Sequence, residues 1–190
     1  MIILTVTAKN RPQTTKKAVN HLIVGGIVAA KADTSYALLV LPRFLENHRI
    51  LNKIKNARHN KKYSLFVAKK DDIISKIPEQ HHALAHKLLP GQVTIVYDNK
   101  RPGLRMIDSE TITSLIAALK TPLTATSANP SDLTPARSAQ EVETYFNHLP
   151  ILVLDEGEVP AQKSSTVIDL TGPKPKILRR GAFSLSSLVK

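Results

Sequence analysis

Residues 122–136, Pro-Leu-Thr-Ala-Thr-Ser-Ala-Asn-Pro-Ser-Asp-Leu-Thr-Pro-Ala, constrain the chain most. A short apolar strand, Leu123 to Thr126, breaks into a polar loop running from Ser127 to Asp132. Pro130 brings no amide donor and disfavours helix at Asn129. The fold must therefore hold a strand whose end presents small hydroxyl and amide groups. A rigid scaffold offers a polar ligand such groups in this way. A turn that caps its own backbone uses the same residue types, and by this stretch alone both readings stand.

The rest of the chain supplies partners for that strand. Met1–Thr7, Ile27–Ala30, Ala37–Leu41, Tyr63–Ala68, Gln92–Tyr97, Leu104–Ile107 and Ile151–Asp155 read as strands. Ser165–Asp169 and Lys176–Leu178 read as two more, joined through Thr171-Gly172-Pro173. Helical spacing runs through Thr14–Val24, Arg43–Ala57, Asp71–Ile77 and Glu79–Leu89. Ser109 is placed to cap Glu110–Leu119, and Ser138 with Glu141 has capping-box spacing at the start of Ala139–Leu149. Helices and strands alternate irregularly, which predicts an α/β or mixed α+β fold, with residues 1–190 as one domain. The strand pattern before Ala37 is interrupted by Asp33-Thr34. Burying an unpaired carboxylate is costly, so this is either a bulge between strands or a cleft lined by the Asp and Thr.

Charge is concentrated at one end. Residues 1–70 hold 14 Lys/Arg and 2 Asp/Glu, whereas residues 71–190 hold 13 of each. Such a field attracts phosphates, whether of a nucleotide or a nucleic acid. With only 4% aromatic residues, extensive base stacking is not expected. The chain has no Cys, which excludes disulfides and thiolate metal sites. We read no signal peptide and no bilayer-spanning run, so a cytoplasmic protein is expected. Walker-type, GxGxxG and GxSxG motifs are absent. His81, His82 and His86 share a predicted helix, but zinc needs a further ligand, and a solvated helix face accounts for them better.

Seven short blocks, in order, resemble the YrdC-like family of TsaC-type threonylcarbamoyl-AMP synthases. They are Lys31-Ala32-Asp33-Thr34-Ser35-Tyr36-Ala37-Leu38, Asn56-Ala57-Arg58 with Lys62 and Leu65-Phe66-Val67, Leu88-Leu89-Pro90-Gly91-Gln92-Val93-Thr94, Gly103-Leu104-Arg105-Met106, Thr126-Ser127-Ala128-Asn129, Ser164-Ser165-Thr166-Val167-Ile168-Asp169 and Ile177-Leu178-Arg179-Arg180-Gly181-Ala182. Thr-Ser-Ala-Asn is the most specific of them. The chain departs from the family pattern at Lys31-Ala32 (Pro-Thr), Ala37 (Gly), Asn56 (Lys), Gln92 (Pro) and Ser164 (Pro).

The resemblance implies a twisted open mixed sheet with flanking helices and a large basic concave cleft. It implies L-threonine, bicarbonate or CO2, and ATP with Mg²⁺ as reactants, and threonylcarbamoyl-AMP and pyrophosphate as products. Partner proteins then use the adenylate to modify tRNA. Lys55, Arg58, Ser127, Asn129 and Arg179 are the expected ATP contacts. Ala32, Thr34, Lys62, Arg105 and Ser165 are the expected threonine contacts, with Arg105 offering a fork to the carboxylate. The chemistry needs positioning and charge stabilisation rather than a nucleophile, so no catalytic side chain and no protein-held metal is expected. The alternative reading is a non-catalytic member that holds double-stranded RNA or tRNA in its basic cleft.

Overall fold

The computed structural model describes residues 1–55 and 63–184. Arg58 and Lys62, together with Asn56 of the second block, lie outside the described residues.

Ten strands are described: β1 Ile2–Thr5, β2 Ile27–Lys31, β3 Tyr36–Val40, β4 Ser64–Phe66, β5 Val93–Val96, β6 Gly103–Arg105, β7 Leu123–Ser127, β8 Ile151–Asp155, β9 Thr166–Asp169 and β10 Lys176–Arg179. They form one mixed sheet in the order β1-β8-β2-β3-β7-β4-β6-β5-β9-β10. The helices are α1 Arg11–Ile23, α2 Leu45–Ile54, α3 Asp71–Ile74, α4 His82–Leu88, α5 Glu110–Leu119 and α6 Ala139–Phe146, with a 3₁₀ turn at Glu79–His81. The mixed α/β expectation is met. No helix among the described residues is long and apolar enough to cross a membrane.

Strand alternation explains why helices cover both faces. On β2, Val28 and Ala30 point into one core with Ala18 and Leu22 of α1 and Ile112, Leu115 and Ile116 of α5. Ile27 and Ala29 point into the opposite core with Leu51 of α2 and Val142 and Phe146 of α6. A third cluster packs α3 and α4 on Val93, Ile95 and Leu104 at the far half of the sheet.

Both predicted serine caps form. Ser109 Oγ accepts from Ile112 N (3.4 Å), and Ser138 Oγ from Glu141 N (3.2 Å). The Glu141 carboxylate reaches back one residue further than a capping box requires, accepting from Arg137 N at 2.7 Å. The predicted helix Glu79–Leu89 divides into the 3₁₀ turn and α4, and the histidine reading changes with it. His81 is buried, 3% exposed, with Nε2 2.7 Å from the Gly172 carbonyl. It packs the turn against the β9–β10 connection rather than lining a solvated face. Among the described residues no group of three His, Asp or Glu side chains could hold a metal ion.

Candidate functional site

β7 lies between β3 and β4, antiparallel to both. Its last residue, Ser127, is in register with Ala37 at the start of β3. The loop beyond is pinned to β3 by backbone bonds from Ala128 N to Tyr36 O (2.9 Å) and from Tyr36 N to Ala136 O (2.7 Å). The polar loop expected from the sequence is thus a fixed edge of the sheet.

Lys55, at the C-terminal end of α2, is 1% exposed. Its Nζ donates to Ser127 Oγ (3.1 Å) and to Asn129 Oδ1 (2.6 Å). Ser127 Oγ donates in turn to Asn129 Oδ1 (2.7 Å). The Asn129 amide nitrogen donates to the Pro130 and Leu133 carbonyls. Lys55 and Asn129 therefore stand behind Ser127 and orient its hydroxyl.

Beside this edge is a cavity of about 200 Å³. The β2–β3 turn contributes Ala32 and Thr34, β6 contributes Arg105, β7 contributes Ser127, and the β9–β10 hairpin contributes Ser165 and Arg179. Ala37, Phe66 and Ala125 supply apolar surface. Six of the ten residues expected at the site line one cavity. Lys55 and Asn129 touch one of the six, and Arg58 and Lys62 lie outside the described residues.

Two arginines face this space. Arg105 is 7% exposed, its guanidinium carbon 5.7 Å from the centre of the Phe66 ring. It forms an ion pair with Asp33 and donates to Thr34 Oγ1 (3.2 Å). Arg179 donates from Nε (3.1 Å) and Nη2 (2.8 Å) to the Ser165 carbonyl, and from Nη2 to Ser165 Oγ (3.1 Å). Ser165 Oγ also meets Thr94 Oγ1 at 3.0 Å. Burial pulls the pKa of both arginines down; Asp33 opposes this at Arg105, while Arg179 adds to it. Burial likewise pushes the Asp33 carboxyl up, against the pull of Arg105. A buried guanidinium and an exposed one, sharing one cavity with hydroxyl groups, can together hold an anion.

The Asp33-Thr34 interruption is thus a lined cleft rather than a mere bulge: Thr34 faces the cavity and Asp33 pairs with the arginine that faces it. Sequence reasoning missed the Asp33–Arg105 pair itself and the contact of Gln92 with Gln162. The partners are 72 and 70 residues apart, and no local pattern links them.

Comparison with known proteins gives the family of this fold. The Sua5/YciO/YrdC family model, described as telomere recombination, matches residues 20–181. The threonylcarbamoyl-AMP synthase of Bos taurus is 27% identical over 188 residues, covering 87% of this chain and 67% of that protein. A putative threonylcarbamoyl-AMP synthase of Methanocaldococcus jannaschii is 26% identical over 183 residues, covering 90% and 86%. A doubly substituted Pyrococcus abyssi Sua5 superposes with a TM-score of 0.87 at 26% identity, covering 98% of this chain and 62% of that one. Sua5 of the same organism in complex with L-threonine shares the fold, with a TM-score of 0.86 at 23% identity, covering 99% and 60%. The chain thus spans about two thirds of the cattle protein and about 60% of the Sua5 chains. With a family match over most of its length, the chain belongs to the Sua5/YciO/YrdC family.

Proposed function

We propose that this chain is an L-threonylcarbamoyladenylate synthase, a nucleotidyltransferase serving tRNA modification. The observation that carries the reading is the convergence of Arg105, Arg179 and Ser127 on one cavity. Relatives named threonylcarbamoyl-AMP synthase, and a Sua5 solved with L-threonine, support it.

The reaction joins two anions. The threonine amine adds to CO2 to give a carbamate, losing a proton. A carbamate oxygen attacks the α-phosphate of ATP, and pyrophosphate leaves. Fixed cations lower the cost of bringing carbamate and triphosphate together, and close positioning supplies most of the remainder. Arg105, with its planar fork, takes the threonine carboxylate beside Ala32, Thr34 and Ser165. Arg179 and the Ser127–Asn129 edge, oriented by Lys55, take the nucleotide. Mg²⁺ arrives on the ATP phosphates and needs few protein ligands. Arg58 and Lys62 complete the phosphate and threonine contacts in this reading, and proteins that transfer the adenylate to tRNA are its partners.

Purified protein given ATP and bicarbonate should release pyrophosphate only when L-threonine is added. Threonine-independent release, or none, refutes the proposal. Exposed Lys16, Lys17, Arg43, Arg49 and Lys53 favour a second reading, an RNA-holding surface. It requires RNA affinity that falls steeply with salt and no threonine-dependent turnover.

A further inference from the structure

Asp33 sits where four segments meet. Its carboxylate pairs with Arg105 on β6. Its backbone carbonyl accepts from Gln92 Nε2 (3.1 Å), just before β5, and from Gln162 Nε2, in the link between β8 and β9. The two glutamines also bond one another, Gln92 Nε2 to Gln162 Oε1 at 2.7 Å. This clasp depends on a departure from the family pattern, because a proline at position 92 has no amide to offer. The pair it supports is deeply buried, with side-chain exposures of 8% for Arg105 and 10% for Asp33. Arg105 lines the cavity and Asp33 does not. Among the described residues, Arg105 Nε and Asp33 Oδ2 are both buried without a hydrogen-bond partner.

A buried guanidinium with a long side chain needs something to fix its direction. Asp33 holds one end of the fork from outside the cavity, and Phe66 covers its face. Arg105 still lines the cavity, so the direction of its fork sets what a ligand there meets. We propose that Asp33, clasped by Gln92 and Gln162, is a positioning residue that aims Arg105 at the substrate carboxylate. This rests on the reading of the cavity as an amino-acid subsite.

The test is pyrophosphate release against L-threonine and against ATP for wild type, Asp33→Asn, Asp33→Glu and Gln162→Ala. Asp33→Asn keeps the shape and removes the charge. It should raise KM for threonine at least tenfold, the scale of a lost charge-assisted contact, with KM for ATP within twofold and kcat within threefold. Asp33→Glu should recover part of the loss. Gln162→Ala, at an exposed position, should raise KM for threonine two- to fivefold without loss of fold. A threonine KM unchanged in Asp33→Asn, or both KM values rising together, overturns the proposal. If wild type shows no threonine-dependent release, the assigned reaction fails on its own. The positioning role is then read by calorimetric titration of L-threonine into the same proteins, and no difference between wild type and Asp33→Asn overturns it.

Discussion

Gly181 follows β10 and has no room for a side chain. A methyl carbon built there meets the Ser164 carbonyl oxygen, the Ser165 carbonyl carbon and, at 2.5 Å, the Thr166 nitrogen. All three are backbone atoms, so no rotamer change relieves them. An ordinary contact needs about 3.5 Å, so one segment must move by roughly 1 Å. If the start of β9 moves, Ser165 leaves Arg179; if residue 181 moves, Arg179 is drawn from Ser165. Both routes stretch the bonds that hold Arg179 at the cavity. Misplacement by about 1 Å can lower rate about 100-fold, equivalent to about 2.7 kcal/mol of transition-state stabilisation. Overpacking costs about 1–3 kcal/mol of stability, lowering the melting temperature by roughly 2–4 °C per kcal/mol in a chain of this size. Gly181→Ala should therefore remain folded and lose kcat/KM in pyrophosphate release by 30- to 300-fold, an estimate centred on that figure. Activity within threefold of wild type in a folded variant would refute the reasoning, because the close approach would then not transmit to Arg179.

Ser127→Ala removes the hydroxyl that joins Lys55 to the cavity edge, and should lower kcat/KM about tenfold in the same assay with the melting temperature nearly unchanged. Tyr36 tests the pH behaviour of the β3 end. Its hydroxyl lies 3.2 Å from Asp155 Oδ1 and 3.0 Å from the Gly157 carbonyl, and it accepts from Glu156 N (3.3 Å). Burial first, then the Asp155 and Glu156 carboxylates, push the phenol pKa well above its usual 10.0. Above that value the unfolded chain releases the proton and the folded chain keeps it, so this part of the stability is lost as pH rises. Tyr36→Phe should cost about 1–3 kcal/mol at neutral pH, and the gap in urea midpoints between wild type and variant should narrow above pH 10.

Sequence reading went furthest where the signal is local. Glu110–Leu119 and Ile151–Asp155 have the predicted bounds, because a serine cap marks one and a continuous apolar run the other. The β9–β10 hairpin follows from its turn. The long helix predicted over Arg43–Ala57 begins instead at Leu45 and is described to Ile54. The Asp71–Ile77 helix is a single turn, Asp71–Ile74, before Pro78 redirects the chain. The site divides along the same line. The Ser127–Asn129 edge was visible because polar residues end an apolar strand. That Lys55 reaches it from 72 residues away depends on strand order, which periodicity does not encode. His81 shows the converse: its helical spacing pointed outward, while a carbonyl 91 residues on draws it inside.

The Asp33–Arg105 pair is hard to explain as a device for stability. Taking both charges out of water costs more than their attraction often returns, and apolar side chains of similar volume commonly do as well. Here burial is the larger influence on both groups, pushing the carboxyl up and the guanidinium down, and each partner only offsets it. Among the described residues one atom of each has no hydrogen-bond partner, and Arg179 adds repulsion at Arg105. On the proposed reading, an entering carboxylate meets a guanidinium already fixed in direction by Asp33 and offsets the repulsion from Arg179. A pair held for that purpose is a preorganised electrostatic site rather than a structural salt bridge.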